Sequence, residues 1–229
     1  MGRATLIHSI VFSAYSGGNT DTGVAYGVAR SESVTRWWSS ISGVWTQQTG
    51  VAGNRQLIGG VNGNGFIVQS PQKFGMISYN IAQARNAADA SPAYTVEYWN
   101  GSTWTTITPL GPGSTSALGL GSTGTRGMAF NTPLDWLVGA GSLGPDESLY
   151  SLRVTATGLT TAPILVTSGT DLIVGRTIAM QRVHTSNTYP LFSFFTKKQL
   201  LLRQGEYILG YIGSAGAADT FHITYQTSP

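Results

Sequence analysis

Short apolar stretches recur along the whole chain, each bounded by Gly, Asn, Ser or Thr, and several alternate apolar with polar side chains. Successive side chains of an extended strand point to opposite faces, so a period of two marks a strand with one buried face. The clearest case is 150–156, where Tyr150, Leu152, Val154 and Ala156 share one face and Ser151, Arg153 and Thr155 the other. Arg153 is therefore expected to point to solvent or to a neighbouring subunit. A second case is 93–99, with Tyr94, Val96 and Tyr98 alternating with Thr95, Glu97 and Trp99 before Asn100-Gly101. That dipeptide is a strong hairpin signal. A two-residue loop would set Glu97 opposite Trp104 and a four-residue loop Trp99 opposite Trp104, and aromatic cross-strand pairing favours the longer loop.

Further strands are predicted at 5–14, 23–29, 66–69, 73–81, 104–108, 126–130, 148–155 and 164–167, with five more after Thr170. This spacing predicts an all-β chain built as an antiparallel β-sandwich. One segment, 81–90, carries enough alanine for a short helical turn before Ser91-Pro92 ends it. The stretches 43–65 and 111–127 are too rich in Gly for a regular central strand and read as long loops. The C-terminal strands match 6–12 in apolar character, and an apolar edge left open at the N-terminus would invite aggregation. The expected organisation is therefore 1–60, N-terminal strands and a Trp-containing loop packed with the C-terminal region. Residues 61–166 form a nested sandwich and 167–229 a C-terminal β domain.

Composition sharpens this picture. Charged residues make up 10% of the 229, against a usual ~25%, while 28 Thr and 23 Ser supply more than a fifth of the chain. Such a surface can be packed against another protein with few ions to desolvate. The formal charge is +3, but the 10 Arg and 3 Lys are scattered among 10 acids with no basic run. Phosphate-tracking nucleic-acid binding is not expected. Neither targeting segment nor membrane span is read from the N-terminus.

Catalytic chemistry finds little to work with. There is no cysteine, so disulfides, thiolate metal sites and cysteine nucleophiles are excluded. His8, His184 and His222 lie far apart, and the acids Asp135, Asp146, Glu147 and Asp171 lack the spacing of a calcium loop. No catalytic residue, cofactor or metal is assigned. Trp37, Trp38 and Trp45 stand among Ser, Thr and Gly, a setting that suits a subunit contact, the chain's own core or a stacked ligand. Trp37 and Trp38 must face opposite ways if they lie on a strand. Lys197, Lys198 and Arg203 form a basic group that joins these tryptophans as expected contact residues.

The block 66–161 carries Ser-Pro-Gln-Lys-Phe-Gly-Met-Ile-Ser-Tyr (70–79), Val-Glu-Tyr-Trp-Asn-Gly-Ser-Thr-Trp (96–104), Phe-Asn-Thr-Pro-Leu-Asp-Trp (130–136) and Leu-Tyr-Ser-Leu-Arg-Val-Thr-Ala (149–156). In this order the motifs resemble the jelly-roll modules of tailed-phage virion proteins. A Lys-Phe strand leads there to a Tyr-Trp-Asn-Gly hairpin, and a Pro-x-Asp-Trp corner and a Tyr-x-x-Arg-Val strand close the roll. The motifs are architectural, so the resemblance transfers no catalytic residue. Trp136 and Trp99 are expected to anchor the core, and Pro133 to sit in a corner. The resemblance implies a non-enzymatic structural virion protein, a capsid decoration or cement protein on the capsid exterior. It would bind the major capsid protein and itself, as a homotrimer, with neither nucleic acid nor membrane as partner. A tail or fibre module that stacks host glycans on Trp37, Trp38 or Trp45 is the alternative.

Overall fold

Among the described residues, seventeen strands, in the order β1 (Thr5–Tyr15), β2 (Thr20–Arg30), β3 (Arg36–Ile41), β4 (Val44–Gln47), β5 (Arg55–Gln56), β6 (Gly65–Ser70), β7 (Met76–Gln83), β8 (Ala93–Trp99), β9 (Trp104–Thr106), β10 (Gly124–Ala129), β11 (Tyr150–Thr157), β12 (Ile164–Leu165), β13 (Leu172–Thr185), β14 (Leu191–Phe194), β15 (Leu200–Leu202), β16 (Glu206–Gly213) and β17 (Thr220–Ser228), make an all-β fold. The computed structural model describes residues 5–15, 20–30, 36–41, 43–48, 54–58, 63–85, 93–110, 120–121, 123–141, 143, 145–160, 164–165, 172–185, 191–194, 200–203, 206–213 and 220–228, and no helix occurs among them.

One six-stranded antiparallel sheet runs β4-β3-β6-β11-β8-β9. Its registers put Trp37, Val68, Leu152 and Tyr98 in one cross-strand row, and Phe66, Val154 and Val96 in the next. Directly opposed residues share a face, and this face is the buried one. The facing sheet contributes Ile77, Tyr79 and Ile81 from β7, Met128 from β10 and Leu172 and Val174 from β13, and together they form one apolar core. Tyr150, Leu152, Val154 and Ala156 share the core face as their alternation predicts.

Trp136 sits at one end of this core, fully buried. The rings of Phe74, Tyr98, Phe130 and Tyr150 surround it at centroid distances of 4.9, 6.1, 6.2 and 6.1 Å. Its indole N–H donates to the Ser151 carbonyl at 3.2 Å, so the large ring is buried without stranding its one donor.

The hairpin after β8 has the four-residue loop, with Trp99 opposite Trp104 and their rings 5.6 Å apart. Asn100 closes it. Its side-chain oxygen accepts from the backbone N–H groups of Ser102 and Thr103, and Gly101 takes φ +97°, a region that favours glycine.

Two expectations fail in this part of the chain. Residues 81–83 are not helical but complete β7, which pairs with β10 on one side and β12 on the other; ladder bonds on both edges override the helix propensity of the alanines. Residues 86–90 of that segment lie outside the described residues. The Ser- and Thr-rich stretch 36–47, given no strand by its pattern, is the β3–β4 hairpin, and β4 is a sheet edge.

The N-terminal strands pair with C-terminal ones. β1 lies between β17 on one side and β14 and β15 on the other, while β2 lies between β13 and β16. β13 bridges the two regions: its first residues pair with β7, and from Gly175 onward it pairs with β2. His184 lies opposite Asp21 on β2 and His222 opposite Ser13 on β1, so the backbone sets these two histidines in different sheets.

Candidate contact surface

The face of the six-stranded sheet turned away from the core carries four of the six tryptophans. Parity places them: Trp38 lies opposite Ile67, Trp45 opposite Ser40, and Trp99 opposite Trp104, all on outward positions. With strands ~4.8 Å apart, the rings span the full width of the sheet. Each is partly exposed.

The centre of this face is closed by residues 137–141 and 145–149, which lie across it between Trp136 and β11. Gln69, fully buried, pins them. Its carboxamide oxygen accepts from the Asp146 backbone N–H at 3.2 Å and from the Trp38 indole N–H at 3.0 Å. Its amide donates to the Asp146 carbonyl at 2.7 Å and to the Ser151 hydroxyl at 3.0 Å. All four hydrogen-bonding positions of the amide are used.

Asp146 adds a second fastening. One carboxylate oxygen accepts from the Ser148 hydroxyl at 2.6 Å and its backbone N–H at 2.9 Å, and the other pairs with Arg36 at 2.6 Å. The Ser148 hydrogen bonds, and less so Arg36, hold the Asp146 carboxyl below its ordinary value of 3.8. Glu147 accepts from the Ala140 backbone N–H at 2.9 Å. Gly141, at φ +59°, rests against the Trp99 indole so closely that an added Cβ would lie 2.6 Å from the ring. Trp99 is thus roofed by this loop on the outer face and is not the core anchor its bulk suggests.

Arg153 also finds its partners within the chain. It lies opposite Glu97, its Nε and a terminal nitrogen donate to one Glu97 oxygen at 2.9 and 2.8 Å, and its guanidinium lies 4.4 Å from the Trp104 ring centroid. The expectation of a free or intersubunit arginine gives way to a stacked, charge-assisted pair.

A second feature is the corner 131–138. Thr132 donates its hydroxyl to the Phe74 carbonyl at 3.1 Å, Lys73 donates to the Leu134 carbonyl at 2.7 Å, and the Leu137 N–H donates to the Trp99 carbonyl at 3.0 Å. The Tyr98 hydroxyl donates to the Asp135 carboxylate at 2.8 and 2.9 Å. That hydrogen bond, with burial and the carboxylate's charge, raises the Tyr98 hydroxyl above its ordinary 10.0. Trp136 plugs the corner into the core, leaving Leu134 97% exposed, Leu137 54% and Val138 45%. The tip of the β3–β4 hairpin adds Ile41 and Val44, 45% and 65% exposed. These apolar side chains stand on backbone already held in place.

The residues expected at contacts divide as follows. Trp37 is fully buried in the core and leaves the contact list, because its parity on β3 turns it toward Val68. Trp38 and Trp45 face outward and are partly exposed. Lys197 and Lys198 lie outside the described residues. Arg203 is exposed and lines a cleft with Lys73, Phe74 and Arg176, none of them a residue of the tryptophan-bearing face. Leu134, Leu137, Val138 and Gln69 were not singled out from sequence; the signal for the first three was Trp136, whose burial obliges its neighbours in a tight corner to point outward. Among the described residues no group of three His, Cys, Asp or Glu is placed to hold a metal ion. No family model, curated protein or solved structure matches this chain.

Proposed function

We propose that the protein is a structural component that works by adhesion to other protein subunits and carries out no chemistry. The observation that carries this reading is the 131–138 corner, which holds a fully exposed leucine and two further apolar side chains on a segment fastened by two backbone and two side-chain contacts. Pre-ordered apolar groups lose little entropy on docking, and burying one leucine contributes ~1.5–3 kcal/mol. A single contact of that size is weak. Repeated across a symmetric oligomer it becomes tight through effective concentration.

On the resemblance of block 66–161, the partner is the major capsid protein of a tailed phage. The chain then decorates the head as a jelly-roll cement protein, in trimers, with its terminal strands forming a second, smaller sandwich. Binding that favours the assembled shell stabilises it by mass action. Co-sedimentation with heads lacking this protein tests the reading. The wild type is expected to pellet with heads, and Leu134→Asp to stay in the supernatant with an unchanged melting temperature. Failure of the wild type to bind heads refutes the head assignment.

A second reading is favoured by Trp38 and Trp45, two partly exposed rings on one sheet face, with the Trp38 indole held by Gln69. Such rings serve as stacking platforms for host glycans on a tail or fibre. Saturable binding on a glycan array, lost in Trp45→Ala and without affinity for heads, would establish it in place of the first.

A further inference from the structure

A cleft of about 400 Å³ opens where the β6–β7 turn, β13 and the start of β16 meet. Phe74 and Val174 are buried at its apolar floor, and Gln72, Lys73, Arg176, Arg203 and Glu206 stand around it. Three cations face one carboxylate here, in a chain whose formal net charge is only +3. The described lining of the cleft therefore carries a local excess of positive charge.

The groups at the rim are not equivalent. Lys73 turns its ammonium to the Leu134 carbonyl at 2.7 Å and lies over the Tyr150 ring, so it contributes field to the cleft more than contact. Glu206 accepts from the Arg203 backbone N–H at 2.8 Å, while its own N–H donates to the Arg203 carbonyl at 3.0 Å. These two bonds fix the backbone from which Arg203 projects. Arg176 follows Gly175, where β13 passes from β7 to β2. Elsewhere Arg36 and Arg153 are paired with Asp146 and Glu97. Arg176 and Arg203 make no ion pair among the described residues.

We propose that this cleft binds a small polar ligand through one oxyanion, a carboxylate or a phosphate, held between Arg176 and Arg203. The planar guanidinium presents paired donors that match both groups. The apolar floor strengthens the attraction by keeping water from one side. Gln72 can serve a hydroxyl of the same ligand, and the cleft has room for a unit of monosaccharide size. The cleft borders the apolar corner through Lys73 and Phe74, but its ligand chemistry does not depend on the adhesion reading.

Calorimetric titration of the intact chain with inorganic phosphate and, separately, glucuronate tests this. Binding of at least one probe with a Kd of about 10 mM or tighter is expected, within the range where two charge-assisted contacts operate. It should weaken as ionic strength rises. Arg176→Gln and Arg203→Gln should each weaken it about tenfold, and the double variant should abolish it with no change in melting temperature. Binding of phosphate alone identifies a phosphate ester as the natural ligand, and binding of glucuronate alone a carboxylate. No binding of either probe to the wild type, or undiminished binding to a folded double variant, overturns the proposal.

Discussion

Replacing Gln69 with leucine keeps the volume of the side chain and removes its hydrogen bonding. Four groups lose their partner at once: the Trp38 indole N–H, the Asp146 N–H and carbonyl, and the Ser151 hydroxyl. A buried polar group left unpaired costs ~1–3 kcal/mol. Two of the four belong to Asp146, which can reach water if residues 145–149 lift away, so the full sum is not charged. The indole of Trp38 is partly exposed and can also recover some solvation. What remains is the Ser151 hydroxyl, in a fully buried residue, together with the loss of the loop's packing on Trp99. A destabilisation of about 3 kcal/mol follows, equivalent to a fall in Tm of about 6–12 °C for a chain of this length. Thermal unfolding by circular dichroism measures it, and tryptophan fluorescence should shift to the red as Trp38 and Trp99 gain water. Gln69→Glu keeps the one acceptor oxygen but sets a buried carboxylate oxygen against the Asp146 carbonyl where the amide donated, and should destabilise at least as much as the leucine variant near neutral pH. A Gln69→Leu protein that melts within about 2 °C of wild type, with unshifted fluorescence, would show that the loop is held by something other than this amide.

Trp136→Ala empties the aromatic cluster and should cost about 3–5 kcal/mol, read as a Tm lowered by on the order of 10 °C or as failure to fold. Because the Tyr98 hydroxyl is raised in the folded state, its contribution is complete below pH 10.0 and is lost as pH rises through the folded value. The stability difference between wild type and Tyr98→Phe in alkaline denaturant titrations should therefore shrink above that pH, and a constant difference would remove the Asp135 hydrogen bond from the account. Gly141→Ala should push the loop off Trp99, costing about 1–3 kcal/mol and red-shifting its emission, whereas an unchanged spectrum would mean the loop accommodates a methyl there.

How much of this was legible in the residues depends on the distance over which each feature is decided. The alternation in 150–156 was enough to name the buried face of β11, since period two is a property of the strand itself. The Trp99–Trp104 hairpin was legible only in part: Asn100-Gly101 marked the turn but left two- and four-residue loops open, and the preference of the two rings to pair pointed to the four-residue loop that forms. Parity alone required Trp37 and Trp38 to part company. Which of them turned inward was decided by β6, whose Val68 and Ile67 lie opposite them in the sheet. Residues 81–83, helical by composition, became strand because β10 and β12 offered ladder bonds from far along the chain.

The surface was the least legible part, for the same reason. Gln69 reads as one polar residue in an apolar strand until the fold brings Asp146 over it from 77 positions away. Arg153 reads as a free cation until β8 lays Glu97 beside it, and nothing in the sequence marks Leu134 until Trp136 is buried and Leu134 left outside. Local geometry is written in neighbouring residues, whereas burial and pairing are relations between segments that chain order leaves open and that packing resolves.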